Sequence, residues 1–183
     1  MKTVYLTASS LDGFIADARN SLEWLFQFQA DPPGWEEFEA RIGAIAMGAT
    51  TYQWLLEHEL MPPGADPKPW PHRQPTWIFT HRTWPTPPGA DIHFVQGDVR
   101  PVHAEMAAAA NGRDIWLVGG GELVGQFWDH RLLDELIVTL APVTLGAGAP
   151  LLPRPITDPP LQLRSVRQQT SAFVELQYDV VYA

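Results

Sequence analysis

Three stretches of this 183-residue chain place glycine, threonine or arginine where a strand gives way to a helix or loop. Each could meet phosphate. The first is the apolar run 115–118, followed by Gly119-Gly120-Gly121 and a helical pattern over 122–130 in which Leu123, Val124, Phe127 and Trp128 face one way. Glycines let a ligand approach the backbone, and a helix start offers free N–H groups at the positive end of its dipole. A pyrophosphate suits such a place. The same residues also suit a plain tight turn between strand and helix. The run is not the dinucleotide fingerprint G-x-G-x-x-G, because Val124 stands in the third glycine's place and the strand is not the first of the chain.

The second stretch is Met47-Gly48-Ala49-Thr50-Thr51, again strand, glycine, helix. The two hydroxyls and the first-turn amides could bind phosphate, or Thr50 could simply cap the helix. The third is Thr80-His81-Arg82, directly after the apolar strand residues Trp77-Ile78-Phe79. Strand ends are favoured ligand edges in α/β sheets, and Arg82 with Thr80 could hold a phosphate monoester through charge-assisted bonds. The plain alternative is a solvated surface arginine.

Other chemistries find less support. Cysteine is absent, which removes disulfides, thiol nucleophiles and thiolate zinc sites together. The six histidines form no H-E-x-x-H and no ligand-like spacing, so no metal is expected. There is no G-x-S-x-G elbow. Glu36, Glu37 and Glu39 read as a solvated helix face. Among the eight tryptophans, Trp24 and Trp116 are candidates to wall a ring-binding cleft.

These stretches must be positioned by a layered fold. Residues 1–8 read as a first strand, with a turn at 11–14. Residues 35–42 carry apolar positions at helical spacing after the start signal at 31–34. A buried strand at 42–47 is followed by a helix over 50–58, with Tyr52, Leu55 and Leu56 on one side. Residues 62–75 hold six prolines and cannot form a regular element. Short strands follow at 76–80 and 92–95, with a second proline-rich loop at 84–89 between them. Asp98 can cap a helix reaching about Ala110, stopped at Gly112. A strand at 135–141 and the alternating strand 173–182, paired with 161–167, complete the chain. Strands interleave with helices up to residue 141, and the tail is strand-rich. The pattern predicts an α/β domain whose last strands pair antiparallel, with 1–183 forming one domain.

With 12 basic and 21 acidic side chains, the formal net charge is −9. That disfavours nucleic acid and anionic membranes as partners, since both need a basic surface. The first residues lack the apolar core of a signal peptide, and no apolar run reaches the roughly 18 residues of a membrane span. The expectation is a cytoplasmic protein acting on a small molecule.

Five blocks in order carry a resemblance. They are residues 10–16 (SLDGFIA), 47–52 (MGATTY), 79–82 (FTHR), 114–123 (DIWLVGGGEL), and 133–136 (LDEL) with 141–151 (APVTLGAGAPL). Together they resemble the dihydrofolate reductase superfamily, on the branch of the reductase domain of the riboflavin-biosynthesis deaminase/reductase. The resemblance implies a three-layer fold with a mixed, mostly parallel sheet of about eight strands. It implies an NADPH site in which Gly119, Gly120, Gly121 and Glu122 take the pyrophosphate, with Leu123 beside them. Gly48, Thr50 and Thr51 contribute phosphate contacts. Thr80, His81 and Arg82 face the adenosine 2′-phosphate, and Ala8 and Ile15 lie near the nicotinamide. A homodimer is implied as well.

This chain departs from the family pattern at three points. Ala49 stands where the family often has Arg. The acidic residue that assists protonation in dihydrofolate reductases aligns with Pro32, leaving the neighbouring Asp31 as the candidate catalytic carboxylate. Val118 stands where riboflavin-pathway reductases carry Glu. The resulting expectation is an NADPH-dependent reductase of a small heterocyclic or carbonyl compound. Two readings stand beside it: reduction of 5-amino-6-(5-phosphoribosylamino)uracil, and a non-catalytic NADP-binding protein that keeps the fold.

Overall fold

The computed structural model describes residues 1–28 and 33–183. The elements, in chain order, are β1 (Thr3–Ser10), β2 (Phe14–Asp17), α1 (Glu23–Phe26), α2 (Trp35–Arg41), β3 (Ile42–Gly48) and α3 (Ala49–Leu55). After α3 the helix widens into a π-helical turn, Leu56–Leu60. Then follow β4 (Thr76–Phe79), β5 (Ile92–Val95), α4 (Val99–Ala110), β6 (Asp114–Gly119), α5 (Gly121–Asp129), β7 (Glu135–Ala141), β8 (Gly148–Pro150), β9 (Gln162–Gln168) and β10 (Val174–Asp179).

Eight strands form one sheet in the order β5-β4-β3-β6-β1-β7-β10-β9. The first six in that order run parallel, and β10 and β9 join antiparallel. Parallel strands are covered on both faces, so β3 and β6 read as near-continuous apolar runs. One core, with Val99, Val102, Met106 and Phe127, packs α4 and α5 on the sheet. The other, with Phe38, Tyr52, Leu56 and Trp70, packs α2, α3 and the proline-rich loop. That loop has no regular element over 61–75, yet it buries Trp70.

Differences from the sequence pattern have local causes. Helix α4 is capped by the Asp98 carboxylate, which accepts from the Arg100 amide, as its sequence predicts. Its stop is Asn111 in the left-handed region, one residue before Gly112. Helix α3 is entered from Gly48 in extended conformation with no side-chain cap, so Thr50 sits inside the first turn. In β10 the polar face is not solvent: Glu175 is buried, accepting hydrogen bonds from Arg167 (3.1 Å) and Gln177 (2.9 Å). The two-stranded ribbon β2-β8 is not visible in the sequence pattern.

Candidate active site

The parallel register brings the C-terminal ends of β3, β4 and β6 to one edge, where Gly48 pairs with Phe79 and Met47 with Gly119. Two strand–glycine–helix junctions therefore stand side by side. Gly48 leads into α3 and Gly120 into α5. Both are extended and neither helix start is closed by a side chain, so the first-turn amides stay available.

The three glycines have separate local reasons. Gly119 has φ +136°, a conformation that L side chains rarely adopt. A Cβ on Gly121 would collide with the carbonyl oxygens of Pro150 and Leu151. Gly120 has φ −77°, and a Cβ there would meet only Ile15 Cδ1, at 3.7 Å. The peptide between Gly119 and Gly120 is cis. Tyr5, fully buried, donates from its hydroxyl to the Leu151 carbonyl (3.1 Å), holding the 150–151 segment over the glycine turn.

A cleft of about 900 Å³ opens above this edge. Ile15, Gly48, Thr50, Thr51, Gly120, Gly121, Glu122 and Leu123 all line it. Gly119 is buried below. Ala8 is half-buried on β1 and outside the lining, which takes its neighbour Thr7 instead. Thr80, His81 and Arg82 follow β4, further along the same edge, and do not line the cleft. There Thr80 Oγ1 accepts from the Arg82 amide (3.0 Å) and the Trp84 indole (3.3 Å). His81 meets Gln96 (3.0 Å), and the exposed Arg82 guanidinium lies 5.9 Å from the centre of the Trp84 ring. Asp31 lies outside the described residues.

Trp116 does not wall the cleft. It is buried against Phe38 and His72, with its indole donating to the Leu6 carbonyl. Trp24 is likewise absent from the lining. The aromatic residues that do line it are Trp54 and His58, in a lining that also includes Arg19, Ser21 and Leu22. Their i, i+4 spacing on the side of the helix away from Tyr52 is the sequence signal that points to them.

Charge at the cleft is set by ion pairs. Arg154 donates to Glu122 (2.8 and 3.0 Å) and to Asp129 (3.0 Å), bridging one side of α5. The guanidinium holds the Glu122 carboxyl below its ordinary range, so Glu122 stays ionised and engaged. Arg19 is the single Lys or Arg among the described lining residues, 3.7 Å from Asp17 of its own turn. Asp12 ties the β1–β2 turn to the loop after β7, accepting from the amides of Leu145 (3.0 Å) and Gly146 (2.7 Å) and from the Ser10 hydroxyl (2.6 Å). The cleft thus offers backbone amides and hydroxyls for phosphates and an apolar floor of Ile15 and Val118.

The RibD C-terminal domain signature matches residues 61–174. The chain belongs to the RibD C-terminal domain family. It is 30% identical over 179 residues to the uncharacterized Bacillus subtilis protein YwjB, covering 97% of each chain. Its fold is similar to that of a Shewanella sp. PV-4 protein named for riboflavin biosynthesis (TM-score 0.77, 24% identity, 98% of both chains). It is also similar to dihydrofolate reductase from Enterococcus faecalis, solved with NADP(H) (TM-score 0.56, 14% identity, 97% of this chain and 95% of that one). The mostly parallel eight-stranded sheet with antiparallel C-terminal strands is the dihydrofolate reductase-like fold. The RibD signature begins at residue 61, so the junction at Gly48 and Ile15 of β2 lie before it. No helix among the described residues is long and apolar enough to cross a membrane.

Proposed function

We propose that the protein is an NADPH-dependent reductase that passes hydride to a small heterocyclic or carbonyl compound. The observation that carries this reading is the pair of strand–glycine–helix junctions, at Gly48 and Gly120, opening into one cleft that Ile15 also lines. The space above Gly120 suits a dinucleotide, because only Ile15 stands within contact of an added Cβ. When bound, the cofactor supplies the hydride. The chain supplies position. The Gly121 and Glu122 amides and the Thr50 and Thr51 hydroxyls hold the phosphates. Ile15, with Ala8 next to the lining Thr7, keeps the ring site dry. Arg82, with Thr80 and His81, meets the 2′-phosphate at the outer edge.

The floor argues against the phosphoribosylaminouracil intermediate. Val118 cannot accept a hydrogen bond or relay a proton, and Glu122 is held ionised by Arg154. A site lacking a substrate's polar partners discriminates against it strongly. Asp31 is retained as the proposed proton source.

Fluorescence titration with NADPH and NADH, followed by NADPH oxidation across a panel of heterocycles and carbonyls, tests this. A hydrogen bond to a charged group contributes roughly 1.5–3 kcal/mol, so Arg82→Ala should weaken NADPH about 10–100-fold and leave NADH nearly unchanged. Equal losses would remove the 2′-phosphate assignment. NADPH binding without turnover of any compound would favour a non-catalytic NADP-binding protein. Efficient turnover of 5-amino-6-(5-phosphoribosylamino)uracil would overturn the substrate reading.

A further inference from the structure

We propose that Arg154 is a positioning residue for the phosphate end of the cleft: it clasps the 150–154 segment to α5 and cancels the charge of Glu122 beside the amides that take phosphate. The inference deepens the reductase reading and rests on it for the identity of that phosphate.

One stripe of α5 carries Glu122, Gly125 and Asp129, spaced by three and four residues. The Arg154 guanidinium spans it. Nη1 and Nη2 donate to the Glu122 carboxylate (3.0 and 2.8 Å), and Nε donates to Asp129 (3.0 Å). Between the two acids lies Gly125, where an added Cβ would stand 2.7 Å from Arg154 Cζ. Glycine is a poor helix former, and here its missing side chain makes the seat for the guanidinium. The Arg154 side chain is 18% exposed, and Nη1 also donates to the Pro153 carbonyl (2.9 Å).

What Arg154 fastens is the segment that lies against the start of α5. The Leu151 carbonyl accepts from Tyr5, and the Leu151 amide donates to the Gly13 carbonyl (2.9 Å). The Pro150 and Leu151 carbonyl oxygens each stand 2.4 Å from where a Cβ on Gly121 would be. Ala149, Pro150 and Pro153 line the cleft, and β8 pairs with β2, which carries Ile15. Arg154 itself stands outside the lining.

Charge gives the clasp its second part. The Glu122 side chain is 67% exposed and lines the cleft. It belongs to the residue whose own amide is proposed to hold phosphate. Unpaired, that carboxylate would oppose an anion there, and Arg154 answers it without occupying the cleft. Asp129 stands seven residues further on, roughly 10 Å along the helix axis, so its charge acts on the same anion far less.

Isothermal titration of the whole protein with inorganic pyrophosphate and with NADPH, at low and high salt, tests the proposal. Arg154→Met keeps an unbranched stem over Gly125 and removes the charge. It should weaken both probes about tenfold at low salt, and the gap to wild type should narrow at about 1 M salt. Adding Glu122→Gln to it should bring affinity back to within about threefold of wild type. Adding Asp129→Asn instead should leave the loss in place. A purely structural clasp would respond alike to both second substitutions. Thermal melts check that the variants fold. If Arg154→Met does not fold, Arg154→Lys carries the same test with a smaller loss, since one ammonium cannot hold both carboxylates in bidentate fashion. Unchanged affinity in a folded Arg154→Met would overturn the proposal, as would rescue by Asp129→Asn equal to that by Glu122→Gln. If wild type binds pyrophosphate but not NADPH, the reductase reading falls, and the pyrophosphate series alone decides the role of Arg154. If it binds neither, both fall.

Discussion

Three adjacent glycines at the head of α5 are held in place by three different constraints. Gly119 needs its left-handed backbone, and Gly121 needs to lie under the Pro150 and Leu151 carbonyls. Gly120 needs neither, since its φ of −77° suits any residue and its surroundings are open. A side chain at Gly120 is therefore tolerated by the fold, and under the proposed function it is excluded only by the cofactor above it. Gly120→Val should melt near wild type yet lose NADPH binding. Gly121→Ala should instead lose stability, by about 1–3 kcal/mol, through overpacking against backbone. Thermal denaturation beside cofactor titration separates the two. Normal NADPH binding by Gly120→Val would reduce the run to a turn. The sequence shows that a glycine turn ends the strand, but not which glycine serves folding and which faces the cleft. That division depends on residues 150–151, some thirty positions away. Trp54 and His58 are equally hard to read. The 50–58 pattern marks one side through Tyr52, Leu55 and Leu56, and Trp54 and His58 gain meaning only because the fold brings them into the same cleft lining as residues 19–22.

At the scale of elements, the strands and helices whose apolar periodicity meets the large sheet are legible, and several bounds agree to within a residue or two. The ribbon β2-β8 is not, because four and three residues are too few to show a period, and their pairing spans most of the chain. What anchors that ribbon's approach is Asp12, held first by the Ser10 hydroxyl and then by the Gly146 and Leu145 amides. These bonds lower its carboxyl below the ordinary 3.8. Their contribution is complete above that value and is lost as pH falls through the lower folded one. At the opposite edge of the sheet, β7 begins with a buried carboxylate. Glu135 is 1% exposed and meets Lys2 (3.1 Å), Arg41 (3.2 Å) and Arg164 (3.3 Å). Glu135→Gln leaves three cations without their shared partner and should destabilise the fold by about 2–3 kcal/mol. The cations are more than a third exposed, which keeps the cost at the lower end of that expected for broken buried pairs. Denaturant unfolding of wild type and variant measures it, and an unchanged midpoint would mean that solvent replaces the carboxylate fully.

Across the whole molecule, both cores lie on opposite faces of one sheet, and we propose that 1–183 acts as one domain. The sheet ends in β9, where the register shift opposite Gln177 and Tyr178 places Leu163 and Val166 on the face shared with Leu176 and Tyr178. Leu163 is 56% and Val166 59% exposed. We propose that a second copy covers this face. Light scattering at micromolar concentration should give a dimer mass, and Val166→Glu should shift it to monomer. A monomeric wild type would end the idea.

The order of the strands in space also governs how the chain can be made. β1, made before the other strands of this sheet, lies between β6 and β7, pairing Thr3 with Ile115 and Val4 with Glu135. Neither neighbour exists until well over a hundred residues have been added. During synthesis the N-terminal strand must therefore wait, unpaired, for partners still inside the ribosome. Contacts so distant along the chain close slowly, and the waiting strand is a place where a holdase would act. The edge that carries the candidate site, built from β3, β4 and β6, cannot be complete before β6 emerges. A nascent chain halted before residue 114 should therefore remain protease-sensitive, with no cleft to fill.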